Sequence, residues 1–125
     1  MSAYGWLDIL FNNAGAQSGV RLQDLTMEHI EQNTRLLLSS VMLGTRHAIE
    51  PMTEAGGGSI INNASIAGHV ANNGDPLYSS LKAAVSHFTR LSGLGLELTG
   101  SESTPSRRAR WRRPSFGAGP PAPTR

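Results

Sequence analysis

Tyr78 and Lys82 are the side chains whose types and spacing most clearly indicate chemistry in this sequence. They stand four residues apart, so on a helix they project from the same face, one turn from each other. Free tyrosine titrates near ~10 and lysine near ~10.4, and a positive neighbour within a few ångströms favours the phenolate. Such a pair can give and take a proton near neutral pH. Ser65 lies thirteen residues before Tyr78 and adds a hydroxyl that could hold a carbonyl oxygen for that proton.

The pair has ordinary alternatives, because any helix can carry Tyr-x-x-x-Lys by chance. Tyr78 could be a half-buried core residue, Lys82 a solvated charge and Ser65 a turn cap. The pair gains weight because Lys82 is the only lysine in 125 residues. The sequence has no cysteine, which excludes a thiolate metal site and a cysteine nucleophile, and its four histidines show no ligand spacing. We therefore expect no metal site.

Alternating strand and helix patterns surround these residues. Apolar segments predict strands over 7–12 and 59–64, the second ending next to the serine. A helix is predicted from Met27 to Glu54, with Thr26 as its N-cap. Its apolar residues recur near helical spacing: Met27, Ile30, Leu37, Val41, Ala48 and Met52. A second helix is predicted from Leu77 to Leu98. The order strand, helix, strand, helix predicts a parallel sheet with right-handed crossovers.

Three motifs occur in register along the chain: Asn12-Asn13-Ala14-Gly15 at the end of the first strand, Asn62-Asn63-Ala64-Ser65 at the end of the second, and Tyr78-x-x-x-Lys82 on the second helix. Together they resemble the classical short-chain dehydrogenase/reductase family, over about residues 4–100. The resemblance implies an α/β fold, a partial Rossmann-like parallel sheet flanked by long helices. It also implies an oxidoreductase that transfers hydride between NAD or NADP and a carbonyl or alcohol substrate.

The resemblance implies roles for individual residues. Tyr78 is expected to be the general acid and base, and Lys82 to lower the pKa of Tyr78 and bind the nicotinamide ribose. Ser65 is expected to orient the substrate oxygen.

The cofactor site implied by the resemblance also includes Asn13, Ala14 and Gly15. Family members carry a proton-relaying asparagine on the first long helix. Leu37 stands at that position here, and Asn33, one turn earlier, could substitute for it.

Other elements of the family pattern do not occur in this sequence. The glycine-rich Thr-Gly-x-x-x-Gly-x-Gly turn that receives the cofactor pyrophosphate is absent, and so are the residue that selects NAD or NADP and a later Pro-Gly element. We therefore expect a truncated chain with impaired activity. The alternative is a catalytically inactive remnant that acts through association of its two long helices.

The last part of the chain differs in composition from the rest. Residues 1–100 carry a net charge of −3, whereas residues 101–125 carry +5 and five of the seven prolines. We expect a partial short-chain dehydrogenase/reductase domain over 1–100 and a disordered tail over 101–125. A tail translated from a shifted reading frame would explain the change. Codons can be chosen for residues 102–113 that read Val-His-Ala-Val-Ser-Pro-Gly in a shifted frame, and family members continue with the similar Val-Asn-Ala-Val-Ser-Pro-Gly.

The arginine run in the tail raises a third alternative, a nucleic-acid binder. Trp111 stands alone without a stacking pattern, so we expect no nucleic-acid partner. No basic segment followed by an apolar core begins the sequence, and no apolar run approaches the ~20 residues of a membrane span. These patterns predict a cytoplasmic protein without membrane contact. Its expected partners are a small-molecule substrate and further copies of itself.

Overall fold

The computed structural model describes residues 5–70 and 75–98, with the backbone alone for 94–98. Two strands and three α-helices form the described part of the chain. In chain order they are β1 (Ile9–Asn12), α1 (Met27–Thr34), α2 (Ser40–Glu54), β2 (Ser59–Asn62) and α3 (Pro76–Leu98). The predicted order of strands and helices is confirmed. The tail over 101–125 lies outside the described residues, so its disorder and the domain boundary at 100 stay predictions.

The two strands pair in parallel, as the sequence predicted. Ile9 lies opposite Ser59, and Asn12 lies opposite Asn62 at the other end of the pair. Both strands are shorter than the predicted 7–12 and 59–64, and both end at an asparagine. Asparagine is depleted in strands and favoured in turns, because its side chain competes with the backbone for hydrogen bonds. The parallel pair represents the predicted partial Rossmann-like sheet. Because the strands are parallel, both end at the same edge.

The first long helix begins where the sequence predicted, at a Thr26 cap. Thr26 Oγ1 accepts a hydrogen bond from the His29 backbone N–H at 3.2 Å, and His29 Nδ1 accepts one from the Thr26 N–H at 3.3 Å. This reciprocal pair satisfies two backbone donors at the start of α1. The prediction of one uninterrupted α-helix was incomplete, because a π-helical turn over Arg35–Ser39 separates α1 from α2.

The core of the described residues includes two apolar clusters, one between helices and one between helix and sheet. Leu37, Leu77 and Leu81 join the π-helical turn to α3. The second cluster packs α2 against the sheet through Ala48, Met52 and Ile60. Met27, which the periodicity grouped with these residues, is exposed at the first turn of α1. Among the helices of the described ranges, none has the length and apolar character needed to cross a membrane.

The face of the sheet that points away from the helices is apolar and open. Ile9 is 63% exposed, Phe11 56% and Ile61 49%, whereas Leu10 and Ile60 on the other face contact the helix-side cluster. Parallel sheets are almost always covered on both faces, because the helices that connect their strands pack on both sides. The open face is therefore a surface prone to association.

We predict that the chain self-associates through this open face. Phe11→Thr combined with Ile61→Thr should shift sedimentation-velocity profiles toward monomer, because both changes remove exposed apolar area without touching the helix-side core. Leu43→Thr, an equally exposed apolar position on α2, is the matched control. Dissociation by Leu43→Thr alone would instead locate the contact on the long helices.

Candidate functional site

The Lys82 ammonium lies between the helix that carries it and the end of β2. Lys82 Nζ donates a hydrogen bond of 2.6 Å to the backbone carbonyl of Asn63, and it lies 5.7 Å from the centroid of the Tyr78 ring. The predicted one-turn spacing on α3 therefore brings the phenol and the ammonium together. Lys82 is only 4% exposed, and no carboxylate within the described ranges forms an ion pair with it.

Burial has a direct electrostatic consequence for this ammonium. Desolvation disfavours the charged form of the amine and lowers the pKa of Lys82 below its ordinary value of 10.5. The Asn63 carbonyl provides a partial negative charge at hydrogen-bond distance, which partly compensates for the lost water. An ammonium has three N–H donors, so two remain for other acceptors at this site.

The loop after β1 crosses directly over the same ammonium. Asn13 Oδ1 accepts a 2.7 Å hydrogen bond from Asn63 Nδ2, which ties the ends of the two strands together. A Cβ added to Gly15 would lie 2.7 Å from Leu37 Cδ2 and 3.7 Å from Lys82 Nζ. The backbone at Gly15 can approach this closely because it has no side chain. The structure thus brings Asn13, Gly15 and Lys82 together, with Ala14 exposed between the two loop residues.

Ser65 begins the short 3-10 turn Ile66–Gly68 that packs against α3. Its Oγ accepts a 3.2 Å hydrogen bond from the Ala67 N–H, so the capping alternative considered for this serine is realised. A hydroxyl also keeps its own donor, which this bond does not use. A Cβ on Gly68 would lie 2.6 Å from the Ala83 backbone nitrogen and 2.8 Å from the Lys82 carbonyl carbon. The turn that carries Ser65 therefore rests on the α3 backbone at Lys82.

A polar side-chain network fixes α3 relative to both strands. Asn12 Nδ2 donates to Asn62 Oδ1 at 2.8 Å, and Asn62 Nδ2 donates to Thr89 Oγ1 at 3.0 Å. Thr89 in turn donates to the Val85 carbonyl at 2.8 Å. Each asparagine amide here is half-buried, where an unpaired polar group would be costly. The network therefore favours a single placement of α3 against the strands. Its anchor on the helix is Thr89, seven residues beyond Lys82.

The two residues considered for a proton relay on the first long helix lie in different environments. Leu37 is 0% exposed and packs against Leu77 and Leu81 in the π-helical turn. Asn33 Nδ2 donates to the His29 carbonyl at 2.9 Å, a bond within its own helix. The apolar leucine therefore occupies the space beside Gly15, in the cluster against which Tyr78 packs.

Three residues that shape this site were missed by the sequence reasoning. Asn63 supplies the carbonyl for Lys82, Gly68 allows close packing on α3, and Asp75 hydrogen-bonds the loop after β1. Asp75-Pro76 before a helical pattern is a start signal that could have identified the last of these. Within residues 5–70 and 75–98, no group of three His, Cys, Asp or Glu residues could hold a metal ion.

We predict that Gly68→Ala destabilises the fold, because the new methyl group would meet backbone rather than a flexible side chain. Overpacking of this kind typically costs ~1–3 kcal/mol of the free energy of unfolding. Urea unfolding followed by circular dichroism measures the effect. Gly93→Ala on α3 is the control, since nothing lies within 4 Å of its Cβ position. Alanine there should stabilise α3 by ~0.5–1 kcal/mol. Equal effects at both glycines would contradict close packing at Gly68.

We also predict a pH dependence of stability from Lys82. Between its lowered pKa and 10.5, the unfolded chain holds a proton that the folded chain has released. Raising the pH through this window therefore stabilises the fold, by up to ~1.4 kcal/mol per pH unit for one proton. The free energy of unfolding should rise with pH more steeply in the wild type than in Lys82→Met. Arg90→Met, at an exposed cation on the same helix, should keep the wild-type slope; identical slopes in all three chains would refute the prediction.

Comparison with known proteins gives the lineage of this chain. The family model for short chain dehydrogenase matches residues 1–100. The 7alpha-hydroxysteroid dehydrogenase of Bacteroides fragilis is 36% identical over 93 residues, which cover 72% of this chain and 36% of that protein. The cyclopentanol dehydrogenase of Comamonas testosteroni is 40% identical over 90 residues, covering 72% of this chain and 36% of that enzyme.

A third relative gives the same picture. The 3-alpha-(or 20-beta)-hydroxysteroid dehydrogenase of Mycobacterium tuberculosis is 38% identical over 103 residues, covering 80% of this chain and 38% of that protein. The matched region thus spans little more than a third of the length of each of these relatives. The family model nevertheless covers most of this chain, from the first strand through α3. This chain belongs to the short-chain dehydrogenase family.

Proposed function

We propose that this chain carries the proton-handling part of an NAD- or NADP-dependent oxidoreductase acting on a carbonyl or alcohol substrate. One observation carries the proposal: the buried Lys82 ammonium lies beside the Tyr78 ring and donates to the Asn63 carbonyl, two residues before Ser65. The names of these relatives support the substrate class, since they describe dehydrogenases of hydroxysteroids and of cyclopentanol, all of them alcohols.

In this proposal each residue has a separate task. Tyr78 donates its phenolic proton to the substrate oxygen during reduction and accepts it during oxidation. Ser65 donates a hydrogen bond that orients the same oxygen. Lys82 stabilises the phenolate by its positive charge, and acid–base catalysis of this type contributes ~10²–10⁴-fold.

The same residues fit one end of a nicotinamide cofactor. NAD or NADP, when bound, supplies or accepts the hydride. The two unused N–H donors of Lys82 suit the hydroxyls of a ribose, and the side-chain-free backbone of Gly15 leaves room beside them. Asn13 and Ala14 complete the proposed lining. The sequence contains no glycine-rich turn for the pyrophosphate, so the fit extends to the nicotinamide end alone.

An inactive remnant that associates through its helices is the second candidate. The fully buried Leu37 favours it, because this apolar side chain stands where family members carry the proton-relaying asparagine and cannot relay a proton. Exposed Leu36, Met42 and Leu43 on the first long helix would supply the association surface. Homo-oligomer formation through these helices and a cytoplasmic location remain proposals from the sequence.

We predict little or no turnover of the 125-residue chain with NADH or NADPH and a panel of ketones and aldehydes. Without a pyrophosphate site the nicotinamide is not positioned, and positioning can contribute ~7–11 kcal/mol of barrier reduction. Residues 7–98 grafted in place of the matching segment of the Bacteroides fragilis relative should restore turnover. Absorbance of NADH follows the reaction, and circular dichroism confirms that each chimera folds.

The chimera separates the two candidates through Tyr78. Tyr78→Phe should lower its turnover ~10²–10⁴-fold while leaving NADH affinity nearly unchanged, because it removes one transferable proton. His87→Ala, at an exposed ring on the same helix, is the control and should retain activity. A folded chimera that binds NADH but is inactive with Tyr78 in place would favour the remnant.

A further inference from the structure

Asp75 has two sets of hydrogen-bond partners that are far apart in the sequence. Its Oδ1 accepts from the Tyr78 backbone N–H at 3.0 Å, which caps the first turn of α3. Oδ1 also accepts from Ser18 Oγ at 2.6 Å, and Oδ2 accepts from the Ser18 and Gly19 N–H groups at 2.8 and 3.0 Å. The residue is 7% exposed. One carboxylate therefore joins the start of α3 to the loop after β1.

The electrostatics of Asp75 are consistent with this double role. Burial alone would raise the pKa of its carboxyl, but the donors from Ser18, Tyr78 and Gly19 outweigh that effect and hold the pKa below its usual range. The carboxylate is thus charged at neutral pH and satisfied by four donors. Hydrogen bonds to a charged acceptor are stronger than those between neutral groups.

The loop that Asp75 holds is the one that lies over Lys82. Its near end is fixed at Asn13 by the bond from Asn63, and its far end is fixed at Ser18 and Gly19 by Asp75. Between these two anchors the Gly15 backbone lies close to Lys82 and the buried Leu37, because a Cβ built there would be 3.7 Å from Lys82 Nζ and 2.7 Å from Leu37 Cδ2. Release of the far anchor would leave Gly15 held from one side only.

We propose that Asp75 is a positioning residue whose carboxylate holds the loop over 13–19 closed on Lys82, and so keeps water away from the ammonium beside Tyr78. An ordinary N-cap needs only the bond to Tyr78. The three bonds to Ser18 and Gly19 go beyond capping and act on the loop. We call this set of Asp75 bonds to Ser18 and Gly19 the clamp. Its relevance to catalysis rests on the proposed role of Lys82, but the clamp can be measured whether or not that role is correct.

The single lysine of the chain makes the clamp measurable. Selective isotope labelling of lysine gives an NMR signal from Lys82 alone, whose titration yields its pKa. Asp75→Ser keeps an N-cap hydroxyl for α3 but is too short to hold the loop. With the loop released, water reaches the ammonium, and we expect the pKa of Lys82 to rise toward 10.5. Amide exchange at Ser18 and Gly19 should accelerate about tenfold or more, as expected for lost bonds to a charged acceptor.

The direction in which the pKa of Lys82 moves in Asp75→Ser distinguishes the clamp from a simple charge effect. Loss of a negative charge destabilises a nearby ammonium and would lower the pKa of Lys82. Access of water to the ammonium would instead raise it. Asp24→Ser is the charge-matched control, since Asp24 is exposed and pairs with Arg21 rather than with the loop over 13–19. It should leave both the Lys82 signal and the exchange at Ser18 and Gly19 unchanged.

Ser18→Ala tests the clamp without altering any charge. It removes the 2.6 Å bond to Asp75 and should move the Lys82 pKa in the same direction as Asp75→Ser, by a smaller amount. This variant also decides the matter if Asp75→Ser fails to fold. An unchanged or lowered Lys82 pKa in a folded Asp75→Ser chain, or no change in Ser18→Ala, would overturn the proposal and leave Asp75 as a cap. Because no cofactor is added, failure of the oxidoreductase proposal would not affect this result.

Discussion

The hydrogen bond from Lys82 Nζ to the Asn63 carbonyl is the interaction on which the arrangement of this site depends. A buried ammonium is expensive unless polar groups replace its water, and no ion pair in the described ranges does so. The Asn63 carbonyl can serve only if β2 ends beside the second turn of α3. Strand length, turn geometry and helix placement are therefore coupled through one contact.

Two further contacts keep this geometry within narrow limits. The absence of a side chain at Gly68 lets the turn after β2 rest on the α3 backbone. The hydrogen bond between Asn62 and Thr89 holds the next two turns of the helix against the strand end. One contact is steric and the other polar, yet both act on the same pair of elements. They restrict α3 to a position in which Tyr78 and Lys82 lie at the strand ends.

Much of this arrangement could be predicted from local patterns in the sequence. The four-residue spacing placed Tyr78 and Lys82 on one helix face, and the first strand ends at Asn12 as predicted. The second strand ends at Asn62, two residues before its predicted end. The π-helical turn over Arg35–Ser39 could not be predicted, because a helix-period pattern shifts by only one residue there. The bonds of Asp75 to a loop 56 and 57 residues away depend on tertiary packing, for which spacing carries no signal.

The polar strand ends and the open apolar face of the sheet are independent parts of the molecule. Contacts at the site run between the ends of β1 and β2, the loop over 13–19 and α3. Ile9, Phe11 and Ile61 lie on the other side of the sheet and take no part in these bonds. The site geometry is thus built from contacts internal to the described segment. The open face concerns association, whereas the proposed chemistry depends on how firmly the loop and α3 enclose one buried ammonium.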